Sequence, residues 1–323
     1  MIVGHNRAVE QFVTAWQRGS LHHAWLLAGP KGVGKASFAR EAATRVLADA
    51  AGPPVEATGL ETPQDHRIAR LVEAGSHPDL RWLERLVNEK TNNLARSITV
   101  DQVRSLGDLF DLTPALSAWR AVVIDSIDDL EKSAANALLK MLEEPPANCV
   151  FLLVSHAPGR LLPTIRSRCR RLDFQALSDD AMASILGRHL PELKESDRRK
   201  VIEAAGGSAG RALALAELDL VGLEDAALRI LRHGDPTNAR RSDLASELGK
   251  RGASDRYAAF LELLPSVIAR EARGLSGAPR HRAVDAYARA RELVANAPRL
   301  SLDPASTVFQ LGGILASVAD PLP

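Results

Sequence analysis

The sequence predicts an α/β domain with a parallel sheet, followed by two regions built only of helices. Up to about residue 175, short apolar runs alternate with helical segments, and this alternation requires crossover connections and therefore parallel strands. Beyond residue 174 the strand-like runs disappear and helical spacing continues to the end. We therefore expect three domains, at residues 1–175, 176–220 and 221–323.

The first domain opens with a helix that Asn6 is predicted to cap and Gly19 to end. The predicted strands are short and cover residues 24–28, 79–83, 121–125, 149–154 and 171–174. Those at 24–28, 121–125 and 149–154 are apolar runs typical of buried strands. The predicted helices between them cover residues 37–48, 101–110, 133–143 and 161–168. The Pro- and Gly-rich stretch 51–65 is predicted to be a loop.

The second half of the chain is predicted to be helical throughout. Ser178 and the two acids after it cap a helix that runs to residue 189, and the Gly206-Gly207 break separates two more helices, at 197–205 and 209–218. Further on, helical spacing is clearest at 258–272 and 281–295. These patterns predict a small helical domain and a larger one.

Composition excludes several classes of protein. The chain of 323 residues is 46% hydrophobic and 25% charged, as in an ordinary globular protein. Its 41 basic residues balance 40 acidic ones, which disfavours a sequence-specific DNA-binding module. Two cysteines, Cys149 and Cys169, cannot by themselves form a disulfide framework or a four-ligand zinc site. With no signal-like or membrane-spanning stretch, we expect a cytoplasmic protein that contacts no membrane.

A glycine-rich motif follows the first strand and opens a helix. It matches the phosphate loop pattern G-x-x-x-x-G-K-[ST] except at its last position, where Ala36 provides no hydroxyl for Mg²⁺. Backbone N–H groups of such a loop converge on phosphate oxygens. A strand-to-helix turn that binds no nucleotide is the alternative, so ATP binding stays open. The candidate nucleotide-binding residues are Gly29, Pro30, Gly32, Gly34, Lys35 and Ala36.

Asp125 ends the apolar run at 121–125, where an acid of a phosphate-loop protein holds Mg²⁺. A strand-end cap is the plainer interpretation. An ATPase normally places a glutamate next, to orient the attacking water, but the next residue is Ser126. Asp128 and the acids after it are interpreted as charges at a helix start. With both the Mg²⁺ hydroxyl and the water-orienting acid missing, we expect no ATP turnover.

Five arginines and no acid lie between residues 160 and 171. Because 33 of the 41 basic residues are arginine, a solvated or DNA-facing patch is the plain interpretation. A more specific functional interpretation concerns one segment of this cluster, Ser167-Arg168-Cys169, which lies at the end of a short predicted helix and just before the last predicted strand.

Several longer motifs now identify a resemblance. They are the segments 21–27 (Leu-His-His-Ala-Trp-Leu-Leu), 76–80 (Ser-His-Pro-Asp-Leu), 134–140 (Ala-Ala-Asn-Ala-Leu-Leu-Lys), 143–146 (Glu-Glu-Pro-Pro) and 161–169. In this order they resemble the delta prime family of bacterial DNA polymerase III clamp-loader subunits, which belongs to the AAA+ proteins. The match beyond residue 175 is only helical character and the segment 207–213.

The resemblance implies a RecA-like α/β domain, a helical lid and a helical C-terminal collar. It implies an ATPase-inactive subunit of the DNA polymerase III nucleotidyltransferase complex that helps to load the sliding clamp. Its partners would be the delta and gamma/tau subunits, with the clamp and primer-template DNA contacted through the assembly. Arg168 would be an arginine finger that acts in trans on a neighbour's ATP.

The resemblance also places Ser155 at the sensor 1 position and Arg211 near sensor 2. A strand cap and a surface helix residue are the respective alternatives. Many relatives carry a four-cysteine zinc module, but residues 48–78 contain no cysteine, so we expect no zinc and no other metal. A self-sufficient AAA+ ATPase of DNA replication or repair is the rival function, favoured by Lys35 and Asp125 and opposed by Ala36 and Ser126.

Overall fold

The structure is a computed structural model that describes residues 2–88 and 93–319. Its chain divides into two compact units. One unit runs to Arg188 and takes in Gly206–Gly210, and the other contains His189–Ala205 and the chain from Arg211 onward. The boundary falls within the predicted second domain, and the division into three domains stays a prediction.

A parallel five-stranded sheet flanked by helices forms the centre of the first unit, as the sequence predicts. Two further short strands pair antiparallel with each other, which the sequence did not predict. In chain order the strands are β1 (Ala24–Ala28), β2 (Leu80–Glu84), β3 (Val87–Asn88), β4 (Asn93–Leu94), β5 (Arg120–Asp125), β6 (Cys149–Ser155) and β7 (Arg170–Asp173).

The helices of this unit are α1 (Asn6–Gln17), α2 (Lys35–Ala51), α3 (Arg67–Glu73), α4 (Val100–Arg104), α5 (Leu106–Asp111), α6 (Lys132–Glu143), α7 (Pro163–Arg166) and α8 (Asp179–His189). The predicted helix at 101–110 is two helices, because the chain breaks at Ser105, whose hydroxyl donates to the Gln102 carbonyl at 2.8 Å. The predicted Asn6 cap is wrong. The N-cap position is His5, and no side chain caps α1.

The sheet has the strand order β2-β5-β6-β1-β7. All its pairings are parallel, so the carboxyl ends of the strands share one edge and the amino ends share the other. At the carboxyl edge, Ala28 lies opposite Ser155, and Asp125 lies opposite Val154. At the amino edge, Arg170 of β7 lies opposite Trp25 of β1. This topology decides which predicted site residues can meet.

Successive side chains of each strand point to opposite faces of the sheet. Trp25 and Leu27 belong to a core shared with α1 and α2, whereas Leu26 and Ala28 belong to a second core shared with α4, α5 and α6. The three central strands β1, β5 and β6 are buried on both faces, which is why their sequences are continuous apolar runs rather than alternating ones.

The loop after α2 is organised by a buried ion pair. Arg45 and Asp49 lie one helical turn apart, with 2.9 Å between Nε and Oδ2. The Arg45 guanidinium also donates to four loop carbonyls, at Val55, Ala57, Gly59 and Glu61. In return, Asp49 accepts hydrogen bonds from the Val55 amide and the Trp16 indole. These contacts order a stretch that was predicted from its Pro and Gly content alone.

The second unit is helical in the part that the structure describes. Its elements are α9 (Glu195–Ala205), α10 (Ala209–Glu217, shared with the first unit), α11 (Leu220–His233), α12 (Ala239–Leu248), α13 (Ser254–Gly274), α14 (Gly277–Arg299) and α15 (Pro304–Ala316). Helix α13 packs on α14, and α12 packs on α15. Among the described residues, no helix has the length and apolar character that a membrane crossing requires.

Candidate functional site

The glycine-rich loop connects β1 to α2, as the sequence predicts. Gly34 has φ +104°, a left-handed conformation that side chains other than glycine's rarely tolerate. At Gly29 an added Cβ would lie 2.2 Å from the Phe174 carbonyl oxygen, so no larger residue fits there. These two glycines are therefore required by the backbone, whether or not a nucleotide binds.

The carbonyl groups of this loop are all engaged within the first unit. Lys35 Nζ donates to the carbonyls of Gly29, at 2.6 Å, and Pro30. The Lys31 carbonyl accepts a hydrogen bond from Ser208 Oγ at 3.0 Å, and the Gly32 carbonyl accepts one from the Gly210 amide at 2.9 Å. The Val33 carbonyl lies 2.7 Å from His5 Nε2. The lysine that would reach a terminal phosphate is thus bound to its own loop.

Lys35 is only 2% exposed. Burial lowers its pKa to about 8, although the nearby carboxylates of Asp125 and Asp128 act in the opposite direction. The residue after it, Ala36, provides no oxygen for Mg²⁺, and the next, Ser37, is exposed. The donor set at this loop therefore does not match a site for a magnesium nucleotide.

Asp125 ends β5 at the carboxyl edge, opposite Glu84 of β2. Burial raises the pKa of Asp125, and the negative charge of Glu84 raises it further. The position after it holds no acid, and the Ser126 hydroxyl donates to Asp128 at 2.7 Å. Asp125 thus lies where the sequence placed it, but the residue that directly follows it, Ser126, provides no carboxylate to orient a water.

Asp128 has a role that the sequence interpretation missed. Its carboxylate accepts hydrogen bonds from Ser126, from the Ser155 hydroxyl at 2.9 Å, and from the backbone amides of His156 and Ala157. Burial would raise the pKa of Asp128, but these hydrogen bonds outweigh it and hold the pKa below its ordinary value. Asp128 lies in the first turn of a short 3-10 helix (Ile127–Asp129), at a helix start as the sequence predicts, and its carboxylate in addition fastens the end of β6 to the end of β5.

Ser155, the candidate sensor, lies at the carboxyl end of β6 and is fully buried. Its single hydroxyl proton is donated to Asp128. The turn that follows β5 has a sequence signal, the Ser-x-Asp pattern at 126–128. The Ser126 hydroxyl accepts a hydrogen bond from the Asp128 backbone amide two residues later, as serine side chains in turns commonly do.

Arg168 lies at the other edge of the sheet, between α7 and β7. One of its terminal nitrogens lies 2.8 Å from Glu143 Oε1, and the other donates to the Thr164 carbonyl at 2.9 Å. Arg170 is opposite Trp25, and β1 rises about 13 Å from Trp25 to Gly29. Since Arg168 precedes Arg170, the structure does not bring it together with the glycine-rich loop of the same chain.

The other arginines of the 160–171 cluster do not form a uniform patch. Arg170 stacks over the Trp25 ring at 5.0 Å, and Arg171 pairs with Asp173 at 2.6 Å. Arg211, the second candidate sensor, is an exposed residue of α10 at the start of the second unit. Its sensor role stays a prediction.

Fold and loop together define an α/β protein with a parallel five-stranded sheet and a glycine-rich loop between β1 and α2. A family model described as DNA polymerase III, delta subunit, matches residues 4–178, more than half of the chain, and the chain belongs to this family. The resemblance to delta prime subunits predicted from the motifs is confirmed by curated relatives.

Subunit delta' of DNA polymerase III from Pseudomonas aeruginosa is 37% identical over 189 residues, which are 58% of this chain and 53% of the relative. The delta' subunit of Escherichia coli is 31% identical over 216 residues, 65% of this chain and 59% of the relative. The tau subunit of Bacillus subtilis is 29% identical over 273 residues, 81% of this chain and 45% of the relative. The chain spans about half the length of the curated relatives it matches.

Among solved structures, a DNA polymerase III gamma subunit-related protein from Thermotoga maritima is 18% identical, with a TM-score of 0.45. The likeness covers 95% of this chain and 98% of that one.

Proposed function

We propose that this protein is an ATPase-inactive subunit of a bacterial clamp loader that supplies Arg168 as an arginine finger to a neighbouring ATPase subunit. The observation that carries the proposal is the position of Arg168 at the amino edge of the sheet, opposite the edge that holds its own glycine-rich loop. An arginine in this place can serve a nucleotide only on another chain.

The glycine-rich loop supports the first part of the proposal. Position 36 lacks the Mg²⁺ hydroxyl, position 126 lacks the water-orienting acid, and the Lys35 ammonium is bound to loop carbonyls. Phosphoryl transfer depends on positioning and on charge neutralisation, so these departures act on the same step. For Ser155, the hydrogen bond to Asp128 favours a structural role over that of a nucleotide sensor.

The relatives suggest the partners. They are DNA polymerase III subunits named delta', gamma and tau. We therefore take this chain to assemble in the cytoplasm with delta and gamma/tau subunits, and to reach the sliding clamp and primer-template DNA through that assembly. In this AAA+ arrangement residues 176–220 would serve as the lid and 221–323 as the collar, with Arg211 near the sensor 2 position.

The test replaces Arg168 with alanine in a reconstituted assembly. Arginine fingers contribute a factor of ~10³ to 10⁵ in rate, so Arg168→Ala should nearly abolish hydrolysis at the one site that it serves. Single-turnover phosphate release, which counts the sites that react, measures this loss.

Arg166→Ala is the matched control, because Arg166 is an exposed arginine of the same helix α7. Unchanged single-turnover amplitude in the Arg168→Ala assembly would contradict the trans finger. Failure of the wild-type chain to co-elute with gamma/tau subunits would contradict the partnership itself.

A further inference from the structure

The arginine finger is held by a carboxylate that nothing in the sequence pattern assigned to it. Glu143 is the last residue of α6, and its Oε1 lies 2.8 Å from a terminal nitrogen of Arg168. On the basis of the proposed function, we infer that Glu143 is a positioning residue for the finger: it fixes the Arg168 guanidinium in the orientation that meets a neighbour's phosphate.

The glutamate is presented from a rigid frame. The preceding residue, Leu142, is 1% exposed and belongs to the same core as Ile165 of α7. The Leu142 carbonyl pairs with His23 Nε2 at 3.2 Å, which ties the end of α6 to the chain just before β1. The position of the Glu143 backbone is therefore set by buried packing, even though its side chain is exposed.

The guanidinium is held on two nitrogens but not saturated. One terminal nitrogen forms the ion pair with Glu143, and the other donates to the Thr164 carbonyl, with a longer contact of 3.5 Å to Ser167 Oγ. A guanidinium has five N–H donors, so the contacts made within the described part of the chain leave at least two for a ligand. Two donors are the number that a bidentate phosphate contact requires.

Stability does not account for this ion pair. Its side chains are 33% and 46% exposed, and exposed pairs contribute little to folding. The ion pair with Glu143 does, however, restrict the rotamers of Arg168 before a ligand binds, so that less side-chain entropy is lost on binding. Because catalysis by a finger depends on its placement in the transition state, the expected consequence of losing Glu143 is kinetic.

The experiment compares Glu143→Gln with Glu144→Gln in the reconstituted assembly. Glu144 is the neighbouring exposed acid and directly follows α6. For Glu143→Gln we expect kcat at the served site to fall between about 10-fold and 100-fold with KM for ATP unchanged, because a finger acts in the transition state. Glu144→Gln should match wild type, and Glu143→Asp, which keeps the charge, should recover part of the loss.

A double variant separates positioning from general damage. If Glu143 acts through Arg168, adding Glu143→Gln to Arg168→Ala should cause no further loss of kcat, whereas independent effects would multiply. Multiplying effects, an unchanged kcat, or a faster rate in Glu143→Gln would each overturn the inference. If instead Arg168→Ala itself has no effect, the proposed function fails, and with it the premise of the inference.

Discussion

At the scale of single residues, Asp128 shows how much one carboxylate can organise. Four donors from two strand ends converge on it, and two of them are backbone amides of the loop after β6. Its hydroxyl partner Ser155 lies 27 residues away in the chain. Sequence spacing cannot reveal such a contact, because parallel pairing brings the two strand ends together only in the folded sheet.

Replacing Asp128 with asparagine should destabilise the protein by about 2 kcal/mol at neutral pH, since hydrogen bonds to a charged acceptor are lost. The pKa of Asp128 lies below its ordinary value of 3.8 in the folded protein. Its stabilising effect is therefore present above pH 3.8 and is lost as the pH falls through the folded pKa. Urea unfolding at pH 7 and at pH 3 should show a smaller difference between variant and wild type at pH 3.

Asp129→Asn is the control for this measurement. Asp129 is the adjacent acid, and it makes a partly exposed ion pair with Arg85 at 3.1 Å. Its loss should cost at most about 1 kcal/mol. An equal loss of stability in the two variants would mean that Asp128 has no special role.

At the scale of elements, apolar runs were enough to predict the three central strands β1, β5 and β6, whereas the edge strands β2 and β7 have mixed sequences. Burial on both faces makes such strands visible in a sequence. The helix at 101–110 was harder to predict, since Ser105, which ends α4 and precedes α5, is not a helix-breaking residue type. The N-terminus of α1 was missed because His5 lies under the glycine-rich loop, where its ring contacts the Val33 carbonyl.

The loop after α2 offers a test at this scale. Arg45→Met would leave four loop carbonyls and the largely buried Asp49 carboxylate without the guanidinium that they share. Breaking a buried pair in this way should cost about 3 to 5 kcal/mol. Hydrogen exchange should locate the loss in residues 55–61, and urea unfolding should give its size.

Arg67→Met is the matched control, because Arg67 is an exposed arginine at the start of α3. It should change the free energy of unfolding by no more than about 0.5 kcal/mol. A well-folded Arg45→Met protein with unchanged exchange in 55–61 would show that other contacts order this loop.

At the scale of the whole molecule, the proposed division of labour can be tested on the chain alone. Without the Mg²⁺ hydroxyl and the water-orienting acid, the purified full chain should release no phosphate from ATP above background. Lys35→Ala should leave that background unchanged, since a lysine bound to its own loop contributes to no turnover. Steady-state phosphate release measures both.

Turnover that Lys35→Ala abolishes would favour a self-sufficient ATPase instead. That outcome would leave the position of Arg168 unexplained, because the guanidinium lies at the edge of the sheet away from the glycine-rich loop. The assay on the isolated chain tests whether this chain hydrolyses ATP, and the assembly experiments test separately whether Arg168 acts on a neighbour.

By itself, the sequence determined the strand–helix alternation, the glycine-rich loop, its missing hydroxyl at Ala36 and the motifs of the family. These properties depend on residue types at short spacing, which local patterns record. Only the tertiary structure decided that Lys35 is bound to its own loop, that Asp128 holds Ser155, and that Glu143 holds Arg168. The last two contacts arise from strand order and helix packing, which join segments whose separation in the chain carries no periodic signal. The Lys35 contact is local and depends on the folded path of the loop itself.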